Sequence, residues 1–226
     1  MNSIKNIIIS ISAFLSFVAT ATFGQHVVIN FKNDTVGAMP KGFSSFLTGK
    51  GKIGNWTVMK DVTASSKGNV LAQTDMDTTG YRFPVCIYDG IKAKNADISV
   101  KFKPMKGEGD QAAGIAWRFI DKNNYYIARA NALEDNVVTY IVKNGKRIDL
   151  PLVGEGRTYG KKVKVPSGIW SELKIEVKDD LFTIYLNNVE LYKVKDETFQ
   201  NPGKIGLWTK ADSYTLFDDL SITTLK

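Results

Sequence analysis

One cysteine and one histidine in 226 residues remove more chemistry than any abundant residue suggests. Cys86 cannot close an intramolecular disulfide by itself, so a fold of this size has to rest on its apolar core rather than on covalent staples. Within Pro84-Val-Cys-Ile-Tyr88 it reads as a small buried hydrophobe. A catalytic thiol needs an imidazole, and His26, the single one, sits near the start of the mature chain. No Cys/His cluster offers metal spacing, and no Gly-x-Ser-x-Gly elbow is present, which removes zinc and serine hydrolysis. Helical periodicity is missing as well. No stretch of ten or more residues beyond the first two dozen carries a convincing helical stripe, so dinucleotide and phosphate sites of the βαβ kind lose their scaffold.

Long apolar runs are equally scarce. Residues 1–24 open with Lys5, run through the apolar stretch Ile7 to Val18 and end in small or weakly polar residues, the pattern of a secretory signal peptide. That run is too short to span a bilayer core of roughly 30 Å, and no second one follows, so no membrane span is expected. A lipoprotein cut would need a cysteine there, and none stands near it. The expectation is an exported, soluble product, periplasmic or extracellular, with one domain over residues 25–226.

The formal charge is +7, and about +6 once Lys5 leaves with the leader. The lysines are interspersed singly among acids, as in Lys174, Glu176 and Lys178, and the densest knot, Lys161-Lys162-Val-Lys164, is short. With no basic stripe interleaved with stacking aromatics and no recognition-helix pattern, no nucleic-acid partner is expected.

What the sequence does hold is alternation. Leu173, Ile175 and Val177 share one face of Trp170 to Lys178 and Glu172, Lys174, Glu176 and Lys178 the other, as in a strand with one wet side. Asp179-Asp180 turns the chain into Leu181 to Leu186, and Asn187-Asn188 turns it again. Asn144-Gly145 is a strong type I′ hairpin signal between Val137 to Lys143 and Lys146 to Leu150. Further strands are expected at Val27 to Phe31, Asn55 to Lys60, Val70 to Thr74, Val85 to Tyr88, Asp97 to Lys103, Gly114 to Ile120, Tyr125 to Asn131, Lys204 to Trp208 and Tyr214 to Thr224. More than ten short antiparallel strands favour two packed sheets, an all-β jelly-roll sandwich.

Candidate binding residues cluster in three strands. Alternation over Gly114 to Asp121 puts Ile115, Trp117 and Phe119 between the sheets and Gly114, Ala116 and Arg118 on the other face, a shallow floor with one strong donor. In the next strand Arg129 and Asn131 share a face with Tyr125 and Ile127, and Tyr126 with Ala128 and Ala130; the pattern leaves open which face looks into a groove. Near the C-terminus Trp208, Lys210 and Asp212 follow Gly203-Lys-Ile-Gly-Leu, with Trp208 the best stacking candidate among Trp56, Trp117, Trp170 and Trp208. Arginine, asparagine and an exposed aromatic are the equipment of a sugar site; an arginine on a sheet equally pairs with a neighbouring acid.

Glycoside hydrolysis needs two carboxylates about 5 to 10 Å apart across a groove, and the Glu-x-Asp-x-x-Glu arrangement of jelly-roll glucanases is absent. Glu134-Asp135 could reach a groove but reads more naturally as a hydrated turn. No cofactor is expected. Calcium is the one metal that oxygen ligands alone could hold, with Asp218-Asp219 and Asp75-Met-Asp77 as candidates and solvated turns as the plainer account.

The order Phe31-Lys-Asn-Asp34, Pro40-Lys-Gly-Phe43, Trp56-Thr-Val58, Val70-Leu-Ala-Gln73, Gly-Ile-Ala-Trp-Arg118, Asn124-Tyr-Tyr, Trp170, Leu186-Asn-Asn, Gly-Lys-Ile-Gly-Leu-Trp208 and Phe217-Asp-Asp-Leu resembles exported domains of the concanavalin A-like, laminin G-like jelly-roll superfamily. Within it the chain is most similar to bacterial 3-keto-disaccharide hydrolase domains, a group of glycosyl-hydrolase type. The resemblance covers nearly all of the mature chain and implies the sandwich fold and a carbohydrate or sugar-derivative partner. Arg118 matches that family's arginine, but Tyr126 stands where its glutamate would be, Ala128 where its glutamine would be, and Asn131 near its acid. The departure removes the most obvious carboxylate and leaves Glu134, Asp135 and Asp212 as substitutes. Three readings remain: a glycan-binding module, a hydrolase of a modified glycoside such as a 3-keto-disaccharide, and a protein-interaction sandwich.

Overall fold

The computed structural model describes residues 24–225, so the leader reading lies outside the described residues except for Gly24. All regular structure among the described residues is β. One sheet runs β14 (Val189–Lys195), β13 (Leu181–Leu186), β12 (Ser171–Lys178), β6 (Asn95–Lys106), β16 (Tyr214–Leu225), β4 (Asn69–Gln73) and β3 (Trp56–Lys60), with β1 (His26–Ile29) also paired to β16. The other runs β10 (Lys146–Asp149), β9 (Asn136–Lys143), β8 (Asn124–Asn131), β7 (Ala112–Asp121), β15 (Gly203–Trp208), β5 (Arg82–Ala93) and β2 (Phe43–Gly49), with β11 (Lys161–Lys162) against β9. Every pairing is antiparallel, and the sheets pack face to face as a jelly-roll sandwich. No helix among the described residues is long and apolar enough to cross a membrane.

The alternating pattern sets the packing. Ile184, Ile175, Ile98 and Ile222 lie in register across β13, β12, β6 and β16, a row of β-branched side chains that faces the second sheet. Trp117, Tyr126, Ala128 and Leu207 meet that surface from the second sheet. Asn144 and Gly145 take φ of 51° and 74°, and Asn187 and Asn188 take 50° and 64°, the left-handed pairs that type I′ hairpins require.

The second sheet departs from one-sided alternation, because its outer face is buried too. Phe83, Val85, Ile127, Tyr140, Val142 and Trp208 form a separate apolar cluster there. Tyr81 and Arg147 cover it, the Tyr81 hydroxyl donating to Gly145 O at 3.2 Å and accepting from Arg147 N at 2.6 Å. Alternation also fails inside β7. Pairing with β8 slips between Trp117 and Asp121, and Arg118 takes a φ of 46°. This bulge re-aims both neighbours: Ile115 and Trp117 face the other sheet as expected, but Phe119 swings to the outer cluster beside Phe46 and Tyr125, and Arg118 turns inward. Strands β2 and β11 have no counterpart among the sequence expectations. In Phe43-Ser-Ser-Phe-Leu-Thr-Gly49 the apolar residues fall out of period two, and Lys161–Lys162 carries no apolar signal at all.

Candidate functional site

Four of the seven residues expected to touch ligand converge at one end of the second sheet's outer face. Arg129 and Asn131 project outward from β8, Glu134 sits in the turn after it, and Lys210 and Asp212 lie in the turn from β15 to β16. Asp110, just before β7, completes the group. The Arg129 guanidinium, wholly buried, donates through Nη2 to Glu134 Oε2 at 2.9 Å and Asn136 Oδ1 at 3.0 Å. Asn131 Nδ2 bridges the carboxylates, reaching Asp110 Oδ1 at 2.8 Å and Glu134 Oε1 at 3.1 Å. Lys210 Nζ lies 2.9 Å from Asp110 and 3.8 Å from Glu134.

Asp212 acts through the backbone. Its Oδ2 accepts from the N–H groups of Glu108 and Gly109 at 2.7 and 3.0 Å, and its Oδ1 from that of Asp110 at 2.9 Å, which fixes the turn that carries Asp110. Burial raises the Asp212 carboxyl, but these N–H donors outweigh it and hold it below the usual range. Burial also raises Glu134, and the Arg129 guanidinium, the Asn136 amide and Lys210 reverse that and bring it to about 2. Asp110 moves the other way, raised because burial exceeds what Lys210 returns. Among the side chains that pair directly, the cations Arg129 and Lys210 balance the carboxylates of Glu134 and Asp110, while Asp212 is held by backbone N–H groups; Glu134 and Lys210 remain partly exposed.

Next to the cluster the ring of Tyr140 lies between two arginines, Arg147 Cζ at 4.4 Å and Arg129 Cζ at 5.8 Å from its centroid. The Tyr140 hydroxyl donates to that of Tyr159 at 2.9 Å. Tyr159 and Tyr81, 45% and 42% exposed, are the accessible aromatics around this face. Arg129 Nε and Nη1 and Arg147 Nη1 are buried without a hydrogen-bond partner. Gly114 keeps the floor beside Arg129 low, since a Cβ there would lie 2.5 Å from Ile127 Cδ1.

The other candidates belong elsewhere. Trp208 shares this face but is fully buried, stacked on Phe83 at 5.2 Å with its Nε1 donating to Tyr125 OH at 3.2 Å, so it is core and not a stacking platform. Arg118, turned inward by the bulge, donates to the carbonyls of Lys94 at 3.0 Å, Phe199 at 2.7 Å and Asp179. Tyr126 faces the sheet interface and donates to Asp196 Oδ1 at 2.5 Å. Asp135, unlike Glu134, turns away to Lys164 Nζ and Val165 N. The calcium candidates are occupied by protein partners: Asp75 and Asp77 pair with Arg82, Asp219 with Lys101, and Asp218 accepts from Ser66 N. No group of three or more metal-ligating acids, histidines or cysteines occurs among the described residues.

Sequence reasoning missed Asp110, Asn136, Tyr140, Arg147, Tyr81 and Tyr159. Tyr140 was legible as the residue that alternates with Val138 and Val142; Asp110, in a Gly-Glu-Gly-Asp turn, left no periodic signal.

Fold and site together define a jelly-roll sandwich with a polar cluster on the outer face of one sheet. No protein-family model matches the chain, and comparison with curated proteins finds no match. Solved structures do match. Carbohydrate binding module CBM66 from Bacillus subtilis is 20% identical with a TM-score of 0.58, over 80% of this chain and 94% of that one. Domain 4 of AbnA, a GH43 extracellular arabinanase from Geobacillus stearothermophilus, in complex with arabinotriose, is 16% identical with a TM-score of 0.53, over 89% and 92%. The cellulose induced protein Cip1 is 14% identical with a TM-score of 0.60, over 88% and 97%. At these identities the likeness is one of fold.

Proposed function

We propose that the chain is an exported carbohydrate-binding domain, residues 25–226 after removal of the leader, whose sugar site is the cluster around Arg129. The observation that carries this is the charge-balanced arrangement of Arg129, Glu134, Lys210, Asp110 and Asn131 beside exposed tyrosines, in which Glu134 and Lys210 reach the surface. Balanced charge disfavours selection of a strongly anionic or cationic ligand, while closely spaced donors and acceptors suit vicinal hydroxyls. Tyr81 and Tyr159 supply apolar ring faces at the rim. Carbohydrate-binding modules among the structures of similar fold support the same class of ligand, as an analogy of fold.

The test is a calorimetric titration of the mature protein with a glycan panel that includes 3-keto-glucosides, with product release followed in parallel. Binding without turnover, with at least one sugar per chain lost in Lys210→Ala, is the expected result; a panel that produces no heat, or a variant that binds with the stoichiometry and affinity of the parent, overturns it.

One observation favours hydrolysis as a second reading. Asp110 and Glu134 share the Asn131 amide, and their carboxyls are displaced in opposite senses, the pattern of an acid and its ionised partner. Arg129, Asn131 and Asn136 occupy the Glu134 oxygens, however, which makes it a poor base. Product release that disappears in Glu134→Gln would establish this reading over the first.

A further inference from the structure

Trp170 is the one tryptophan not sealed in the interior; Trp56, Trp117 and Trp208 are 4%, 1% and 0% exposed. It lies across the sandwich from the Arg129 cluster. The residue precedes β12 and lines a hollow of about 400 Å³ on the outer face of the first sheet, inside the range of about 300–1,000 Å³ in which small ligands are held. Thr63, Lys101, Glu172, Asn187 and Asn188 form its other walls.

The indole is fixed in advance. Its Nε1 donates to Thr63 Oγ1 at 3.1 Å, and the Lys103 ammonium, held by Asp61 at 2.8 Å, stands 5.7 Å from the ring centroid. A ring so anchored loses little freedom when a ligand stacks on it. Three polar groups around it are free. Neither the Glu172 carboxylate, the Asn187 Nδ2 nor the Asn188 amide has a partner among the described residues. Asn187 Oδ1 accepts from Glu172 N at 2.8 Å, which sets the direction of that amide. The Lys101 charge is matched by Asp219 at 2.8 Å.

We infer that this hollow is a second carbohydrate site, which takes one neutral sugar residue stacked on Trp170 and hydrogen-bonded by Glu172, Asn187 and Asn188. An indole face covers the apolar C–H surface of a sugar ring, while an unpaired carboxylate and free amide N–H groups match its hydroxyls. The same unpaired carboxylate repels phosphate and carboxylate ligands. The two sites lie on the outer faces of opposite sheets, so one chain can hold two polysaccharide strands and gain avidity on a multivalent surface.

Calorimetry and acrylamide quenching of tryptophan fluorescence test this on the mature protein, with neutral hexasaccharides of glucan, xylan, arabinan and mannan type as probes. Bound sugar is expected to shield Trp170, and Trp170→Ala and Glu172→Ala to lower the stoichiometry from two sugars per chain to one. Glu172 is on the outer face, so its variant keeps the test valid even where Trp170→Ala disturbs packing against the cluster of Ala64, Val70, Ala72 and Leu216. Full stoichiometry in both variants, or no shielding by any probe, overturns the inference. The two sites fail separately: binding lost only in Lys210→Ala rejects the Trp170 site, and binding lost only in the Trp170 and Glu172 variants rejects the Arg129 site.

Discussion

Arg129 and Glu134 form an ion pair at 2.9 Å in which the arginine is wholly buried and the glutamate side chain is 30% exposed. The asymmetry decides which change is costly. Glu134→Ala leaves a buried guanidinium with only Asn136 Oδ1 as acceptor, and a loss of about 3 kcal/mol is expected, the lower end for breaking a buried pair. Glu134→Gln keeps an acceptor and costs less. Urea denaturation with unchanged m-values would separate the two.

The same pair gives acid sensitivity of definite sign. The Glu134 carboxyl is brought down to about 2 in the fold, so its contribution to stability is complete above the ordinary glutamate range and is lost as pH falls through that range toward 2. A thermal melting series from pH 6 to pH 2 should therefore decline more shallowly in Glu134→Gln than in the parent. Parallel curves would mean that the pair does not titrate in this window.

Trp208→Ala is expected to destabilise by about 3–5 kcal/mol, as for a large aromatic removed from a core. Its stacking on Phe83 and its bond to Tyr125 OH are both lost. Sugar affinity of the folded fraction should not change, which is the reverse of what a platform tryptophan would show. Titration of the variant at low temperature, where it is folded, makes the measurement.

That tryptophan shows where sequence stops. Period two placed Ile205 and Leu207 on one face and Trp208 on the other, and the structure agrees. A sandwich has two outer faces, however, and here one is covered by Arg147 and the Tyr81 turn, so "outward" ceased to mean exposed. The hairpins at Asn144-Gly145 and Asn187-Asn188 were legible because their turns depend on two adjacent residues. The bulge at Arg118 depends on how β7 meets β8 and β15, and nothing local announces it. Arg129, Asn131 and Lys210 were found because they are polar residues within or just after strands legible from alternation, although alternation left open which face of Tyr125 to Asn131 looks outward; Asp110 was not, because Asp212, over 100 residues away, positions its turn.

Arg118→Lys is expected to behave as a core lesion. A guanidinium serves the carbonyls of Lys94, Phe199 and Asp179 together, tying the ends of both sheets, and an ammonium on a shorter reach cannot serve all three. Stability should fall by about 3 kcal/mol, with buried carbonyls at about 1–3 kcal/mol each, while the sugar affinity of the folded protein stays at the parent value. A drop in affinity with stability intact would instead return Arg118 to the binding site.

Cys86 reports the integrity of the second sheet. It is fully buried in β5, opposite Ser45 of the edge strand β2 on one side and Leu207 of β15 on the other, and faces the sheet interface. Burial pushes its thiol well above the ordinary range, with Asp89 adding to the effect, so in the native state both access and thiolate are lacking. A disulfide reagent should react with the native protein only through opening of the sheet. If β2 and β5 open only with the whole domain, the labelling rate will rise with urea along the global m-value. If the edge strand opens by itself, labelling at low urea will be faster than global unfolding allows and nearly independent of denaturant, and β2 will be identified as the least stable part of the sheet that carries the Arg129 cluster.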